Sequence, residues 1–330
     1  MKLVQFSKLG EPAEVLELTD REAPLPGPGQ VRVRLTARAI HPSDLMNARG
    51  LYGRPPPLPC VPGNDAAGVV DELGPGVKGF TVGQRVMLLL GATSNKGTWM
   101  EQVVVPQAML VPTPEALSDL QAGALWVNYL SIWVMVVEVL NIQPGETLLQ
   151  TAAGSQLGRA MLELARLRGF NLINVVRRRE QVSELQALGA EQVICTADES
   201  LTARVKELTG GRGVKHAIDA VGGTTGAQVL EALGQGGVAL IYGALEGKAL
   251  PLNPGAMLFK ETTLKGFWLT RWLATAPPSK VQGACAEILR HAAAGAFKPA
   301  IDSSYPLARV RDAVIRAETP GRSGSVVLVP

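Results

Sequence analysis

Hydrophobic and polar positions change rhythm once along this chain. Up to about residue 118, short β-rich runs, VRVRLTARAI (31–40), AAGVVDELG (66–74), QRVMLLL (84–90) and TWMEQVVVP (98–106), are broken by Gly and Pro, most strongly at PLPGPGQ and GRPPPLPCVPG. That texture predicts a β-dominated lobe. After residue 140, short apolar strands alternate with helical segments, the pattern of βαβ units around a parallel sheet. The predicted strands are Thr147 to Thr151, Leu172 to Val176, Gln192 to Cys195, His216 to Val221, Val238 to Tyr242 and Thr263 to Leu269. Such a set completes a doubly wound sheet, so the fold class is α/β with a second, β-rich lobe. The tail SVVLV (325–329) reads as a further strand in need of a partner, and the stretch before it can lead back to the first lobe. The domains expected are therefore 1–118 with 298–330, and 119–297. No internal repeats are visible. Ala124 to Leu140 is the longest apolar stretch, but Asn128, Ser131 and Glu138 interrupt it, and it is shorter than the roughly 20 residues of a bilayer span. It reads as a buried helix.

Composition narrows the class. With 330 residues, 46% hydrophobic and 18% charged, the chain can bury about two domain cores, which excludes disorder, collagen-like structure and a small disulfide scaffold. A formal net charge of +3 argues against a nucleic-acid or membrane-surface partner, so any phosphate must be bound locally. Cys60, Cys195 and Cys285 are far apart and form no CxxC pair, which fits a reducing compartment and offers no thiolate zinc cage. Met1 to Glu11 runs into a strand-like pattern without the layout of a signal peptide, so a cytoplasmic location is expected.

The chemistry begins where TLLQT meets AAGSQLG and a helical RAMLELARLRG, the strand–turn–helix context of a dinucleotide-binding glycine turn. Gly154 and Gly158 are expected to permit the turn and the close approach of backbone to a pyrophosphate, although GxxxG is a variant of the fuller GxGxxG spacing. At the end of the next strand, INVVRRRE, an NAD-preferring site would place a carboxylate against the ribose hydroxyls. Arg177, Arg178 and Arg179 stand there instead. Guanidinium forks match a 2′-phosphate, which favours NADP(H); the plainer alternative is a solvated basic helix start, which the helix dipole disfavours.

With GNDAAGVV (63–70), AAGSQLG and GRSGSVVLV on a β-rich lobe followed by βαβ units, the chain resembles the medium-chain dehydrogenase/reductase superfamily. That resemblance implies a GroES-like catalytic domain and a Rossmann domain with the active site in the cleft between them. Zinc members carry ligands in stretches that correspond here to HPSD (41–44) and GND (63–65), where His41 and Asn64 stand. Zinc needs three good protein ligands, so no metal is expected. HPSDLMNARGLYG, GTWMEQVVVP, NYLSIWVMV, INVVRRR and GFWLTRW are similar to the mitochondrial-type trans-2-enoyl thioester reductases, with the quinone reductases as near relatives. Ser131 and Trp133 depart from that group's pattern.

The resemblance makes Tyr52 the acid that protonates the substrate α-carbon after hydride reaches the β-carbon; the alternative is a loop aromatic shielding the cleft. It sets Asn128 near the nicotinamide ribose and Phe267, Trp268 and Leu269 beside the nicotinamide and acyl cleft, against the plainer readings of a helix cap and core aromatics. Cofactor contacts are implied at Ser155, Gln156 and Leu157, and at Thr196, Val221, Gly222, Tyr242 and Gly243, all at C-terminal strand ends. Arg322 either reaches a phosphate or has no role. His41, Ser43 and Asp44 lie in one tight loop and cannot form a hydrolytic triad. The implied activity is NADPH-dependent reduction of an α,β-unsaturated thioester on CoA or acyl carrier protein. A quinone or alkenal reductase on the same fold and a non-catalytic NADPH-binding protein are the alternatives. A homodimer joined along the Rossmann sheet edge is also implied.

Overall fold

The computed structural model describes residues 1–90 and 97–330. Strands β1 (Lys2–Gln5) and β2 (Glu17–Asp20) enclose α1 (Pro12–Val15), and β3 (Gln30–Ala39) leads into α2 (Pro42–Ala48). Then follow β4 (Ala67–Leu73), β5 (Arg85–Leu88), β6 (Gln102–Pro106), β7 (Leu110–Pro112), α3 (Asp119–Ala122) and α4 (Trp126–Trp133). Strands β8 (Thr147–Gln150), β9 (Asn171–Val176), β10 (Gln192–Cys195), β11 (Val214–Asp219), β12 (Leu233–Ile241) and β13 (Thr263–Gly266) alternate with α5 (Gln156–Arg168), α6 (Glu180–Ala187), α7 (Leu201–Leu208), α8 (Gly223–Glu231) and α9 (Pro254–Lys260). The chain ends with α10 (Leu269–Thr275), α11 (Pro278–Ala293), β14 (Ile301–Pro306), α12 (Val310–Glu318) and β15 (Ser325–Val329).

Two compact units result, 1–128 with 289–330 and 129–288. In the first, the sheet runs β14-β15-β3-β4-β5-β7, and β6 pairs with the free side of β3. β3 organises it. Its Val31, Val33, Leu35 and Ala37 alternate inward at full burial, while Arg32 and Arg34 face out. The alternation ends where β15 arrives, with Val327 opposite Ala39 and Leu328 opposite Arg38. Arg38 is fully buried there, and its guanidinium donates to the carbonyls of Met100 and Leu35, both at 2.9 Å. Residues 119–128 belong to this unit. The Ala39 N–H donates to the Gly123 carbonyl at 3.0 Å, and a Cβ on Gly123 would lie 2.7 Å from Ala37.

In the second unit all six strands are parallel, in the order β10-β9-β8-β11-β12-β13. The order reverses beside β8, the switch point at which open α/β sheets bind ligands. Three predicted strands have other bounds; β11 runs Val214–Asp219 where His216 to Val221 is expected, so Val221 follows the strand instead of ending it. β12 begins at Leu233 because the glycine-rich LGQGG adds a bulged pairing with Val214 before regular register starts at His216–Val238. β13 stops at Gly266, so Leu269 opens a helix instead of closing a strand, and Phe267 and Trp268 form the connection. The apolar 124–140 stretch forms α4 and then a π-helical turn, Val134–Val139, mostly buried. Among the described residues no helix is long and apolar enough to cross a membrane.

Candidate functional site

β8 delivers the chain into a tight turn that caps α5. Ser155 is the N-cap, and its hydroxyl accepts the Gly158 N–H at 3.1 Å. The left-handed position belongs to Ala152 (φ 50°), which corrects the expectation that Gly154 supplies the turn's freedom. A Cβ at Gly154 would meet only the amide end of the Gln181 side chain, in the first turn of α6, which can swing aside. At Gly158 a Cβ would strike the Ala153 backbone, so only glycine lets α5 start this close to β8. Gln156 and Leu157 occupy the first helical positions, where a helix presents N–H groups without internal acceptors.

β9 ends beside this turn, the Val175 carbonyl accepting the Ala153 N–H at 3.1 Å. Arg177, Arg178 and Arg179 follow, and they differ. Arg179 pairs with Asp198 at 2.6 Å, whereas Arg177 and Arg178 carry no ion pair among the described residues. Thr196, after β10, donates its N–H to the Val176 carbonyl at 2.9 Å, with its hydroxyl 3.3 Å from the same atom.

The next strand end is organised by Asp219, a fully buried carboxylate that the sequence reading did not single out. It accepts from the Thr151 hydroxyl at 2.5 Å and from the N–H groups of Val221 and Gly222, both at 2.9 Å. Gly222 (φ 72°) and Gly223 (φ 52°) adopt left-handed backbone there and start α8. Tyr242 donates its N–H to the Asp219 carbonyl at 2.9 Å, and a Cβ on Gly243 would lie 2.8 Å from the Ala220 carbonyl. The Tyr242 hydroxyl is buried with no partner among the described residues; burial, and then the Asp219 charge, push this phenol well above its ordinary value. Phe267 donates its N–H to the Ile241 carbonyl at 2.8 Å, and Trp268 is exposed rather than core. The expected residues 154–157, 177–179, 196, 221–222, 242–243 and 267–269 thus all follow C-terminal strand ends of one sheet. Close backbone approach at Gly158 and Gly243 and an orphaned buried hydroxyl at Tyr242 fit a flat, polar ligand laid across them.

Tyr52 and Asn128 belong to the first unit. Tyr52 follows α2, whose C-terminal end is closed by Gly50 (φ 74°) and by the Leu51 N–H donating to Met46 at 2.8 Å. Asn128 is buried in the first turn of α4. His41 precedes α2, and its Nε2 lies 2.9 Å from Asp65 Oδ2, a partner outside the HPSD loop and likewise missed in the sequence. Arg322 turns its Nε to the Thr319 carbonyl at 3.3 Å.

Residues 27–115 match the alcohol dehydrogenase GroES-like domain, and residues 157–288 match the zinc-binding dehydrogenase family. The human mitochondrial enoyl-[acyl-carrier-protein] reductase is 31% identical over 277 residues, 82% of this chain and 73% of that protein. The chain belongs to the medium-chain dehydrogenase/reductase superfamily. It is accordingly an oxidoreductase by family, with a GroES-like and a Rossmann-type domain. A quinone oxidoreductase from Pseudomonas syringae superposes with a TM-score of 0.88 at 32% identity, covering 100% of this chain and 99% of that one. The Escherichia coli quinone oxidoreductase complexed with NADPH superposes with a TM-score of 0.87 at 27% identity, covering both chains fully.

Zinc, which one matching family name implies, does not fit this member of the superfamily. Position 41 keeps a His, whose Nε2 lies 2.9 Å from Asp65, but position 64 holds Asn, a poor zinc ligand, whose amide nitrogen donates to Asp44 at 2.7 Å. Among the described residues no three His, Cys, Asp or Glu side chains are grouped to hold a metal ion.

Proposed function

We propose that this chain is an NADPH-dependent reductase of carbon–carbon double bonds conjugated to a carbonyl, acting on trans-2-enoyl thioesters of CoA or acyl carrier protein. The observation that carries the cofactor is the end of β9, beside the capped start of α5, where Arg177 and Arg178 carry no ion pair among the described residues. A 2′-phosphate suits two open guanidinium forks, and the α5 N-terminus suits the pyrophosphate. Bound NADPH would supply the hydride that the β-carbon receives. Hydride addition leaves an enolate, and the Tyr52 phenol is assigned the donation of a proton to the α-carbon, water restoring the phenol afterwards. The balance is NADPH, a proton and the enoyl thioester giving NADP⁺ and the saturated thioester.

The thioester is favoured by the 31% identity with the human enoyl reductase across most of both chains. Full-length similarity to quinone oxidoreductases supports a second reading, reduction of a quinone or alkenal. NADPH oxidation, followed by absorbance, separates them. With a short trans-2-enoyl-CoA, Tyr52→Phe is expected to lose about 10²- to 10⁴-fold, as for a removed general acid. Turnover of quinone alone, indifferent to Tyr52, transfers the assignment to the second reading. We include in the proposal a homodimer joined through β13, an edge strand flanked by the exposed Leu258 and Phe259.

A further inference from the structure

We infer that the buried His41–Asp65 pair is a positioning device, clamping the segment that carries Tyr52 to the start of the helix that carries Asn128. Asp65 is fully buried and makes contacts in three directions. Its Oδ2 lies 2.9 Å from His41 Nε2, its carboxylate accepts the Val127 N–H at 3.1 and 3.2 Å, and its main-chain carbonyl accepts the Thr98 hydroxyl at 3.0 Å. Val127 lies in the first turn of α4, so Asp65 satisfies a donor that the helix cannot satisfy itself and places negative charge at its positive end. Asn128 is the next residue.

On the other side, the His41 main-chain N–H donates to Asp44 Oδ2 at 2.8 Å, and Asp44 Oδ1 accepts the Asn64 amide at 2.7 Å. Asn64 and Asp65 therefore hold both ends of the His41–Asp44 turn that starts α2. The far end of α2 is fixed as well. Arg49 reaches Glu11 at 2.6 Å and Glu318 at 2.8 Å, tying that end to residues beside α1 and on α12. Between His41 and Tyr52 the chain is one short helix and its closing turn, so the position of Tyr52 depends on how both ends of that helix are held, and His41 holds one of them. Hydrogen-bonded ionic groups at full burial are costly when one partner is removed, which is why the clamp holds one geometry.

The catalytic consequence rests on the reading of Tyr52 as proton donor; the positional claim does not. The test pairs kinetics with ¹⁹F NMR on protein carrying 3-fluorotyrosine. The four tyrosines are Tyr52, Tyr129, Tyr242 and Tyr305, and Tyr52→Phe identifies the Tyr52 signal by its loss. His41→Leu removes the ring nitrogen, whereas His41→Gln places an amide nitrogen within reach of Asp65. In His41→Leu the Tyr52 signal is expected to move or broaden while the Tyr129 and Tyr242 signals stay. The kcat for enoyl thioester is expected to fall about 10- to 100-fold, as for a small misplacement of a reacting group, with KM for NADPH within about twofold. His41→Gln is expected to recover most of both. If His41→Leu does not fold, Asp65→Asn, which keeps an acceptor for Val127, is read in the same way. A Tyr52 signal unmoved in every folded variant overturns the inference, whatever the activity. If the wild type reduces no enoyl thioester but the signal moves, the functional reading fails and the clamp stands.

Discussion

Asp44 and His41 are buried ionisable groups, and their environments give the first unit a definite pH response. Burial pushes the Asp44 carboxyl up to about 6, against the pull of His41 and of the bonds from the His41 N–H and Asn64. Burial also opposes charge on His41, but the hydrogen bond and charge of Asp65, with the charge of Asp44, outweigh it and leave the imidazole above its ordinary 6.5. Both folded-state values exceed the unfolded ones, so both contributions are fully present at low pH and fade as pH rises. That of Asp44 fades between 3.8 and about 6, and that of His41 above 6.5. Glu146, lowered to about 2 by the Gln143 N–H and by Lys215, and Asp302, lowered to about 2 by Arg316, act oppositely: their contributions are lost as pH falls toward 2. Thermal unfolding against pH should therefore show Asp44→Asn flattening the loss between 3.8 and 6 even if its Tm is lower throughout; an unchanged slope contradicts this. Arg177 and Arg178 support a second test. Each charged hydrogen bond is worth about 1.5–3 kcal/mol, so the double Ala variant should raise KM for NADPH by at least about tenfold and leave NADH nearly unaffected. Equal losses on both cofactors contradict the assignment. Side chains with a local motif, such as the arginine run, can be proposed from sequence. Asp65 could not, because it works on a main-chain N–H from a distant helix. Asp219 had a signal that went unused, a carboxylate closing an apolar strand just before a pair of glycines.

Strands β9 and β10 lie where their apolar runs predict, since a buried parallel strand is written as a short continuous hydrophobic segment. Less regular features depended on contacts that periodicity does not encode: the bulged start of β12, the early end of β13 and the π-helical turn after α4. The sheet also contains a polar ladder that a hydrophobic pattern cannot anticipate. Gln150 on β8 donates to Asn174 on β9 at 2.7 Å and to the Gly158 carbonyl at 3.0 Å, and Asn174 donates to the Gln192 carbonyl at 3.0 Å. Gln150 and Asn174 are fully buried and directly paired in register. Asn174→Leu leaves Gln150 and Gln192 short of partners and should cost about 1–3 kcal/mol in urea unfolding. Gln150→Leu with Asn174→Leu should cost less than the two single changes added together, because the orphaned groups go as a pair. Strict additivity contradicts the ladder.

The whole chain was legible as a β-rich lobe followed by a doubly wound sheet, because the change of period from mixed short runs to βαβ alternation is a global signal. Its return to the first sheet through β15 follows from the SVVLV run, which must be paired on both sides to be buried, and β14 and β3 supply those partners. At the other sheet, β13 presents an unpaired edge, with Leu258 and Phe259 exposed at 70% and 80%. The proposed dimer predicts that sedimentation finds two copies for the wild type and one for Leu258→Glu with Phe259→Glu; a monomeric wild type contradicts it. The proposed chemistry is tested most directly by the fate of the transferred hydrogen. With NADPH deuterated at the transferring position, a trans-2-enoyl-CoA and ordinary water, NMR of the product should show deuterium at the β-carbon and hydrogen alone at the α-carbon. No saturated thioester, or deuterium anywhere but the β-carbon, would contradict the account.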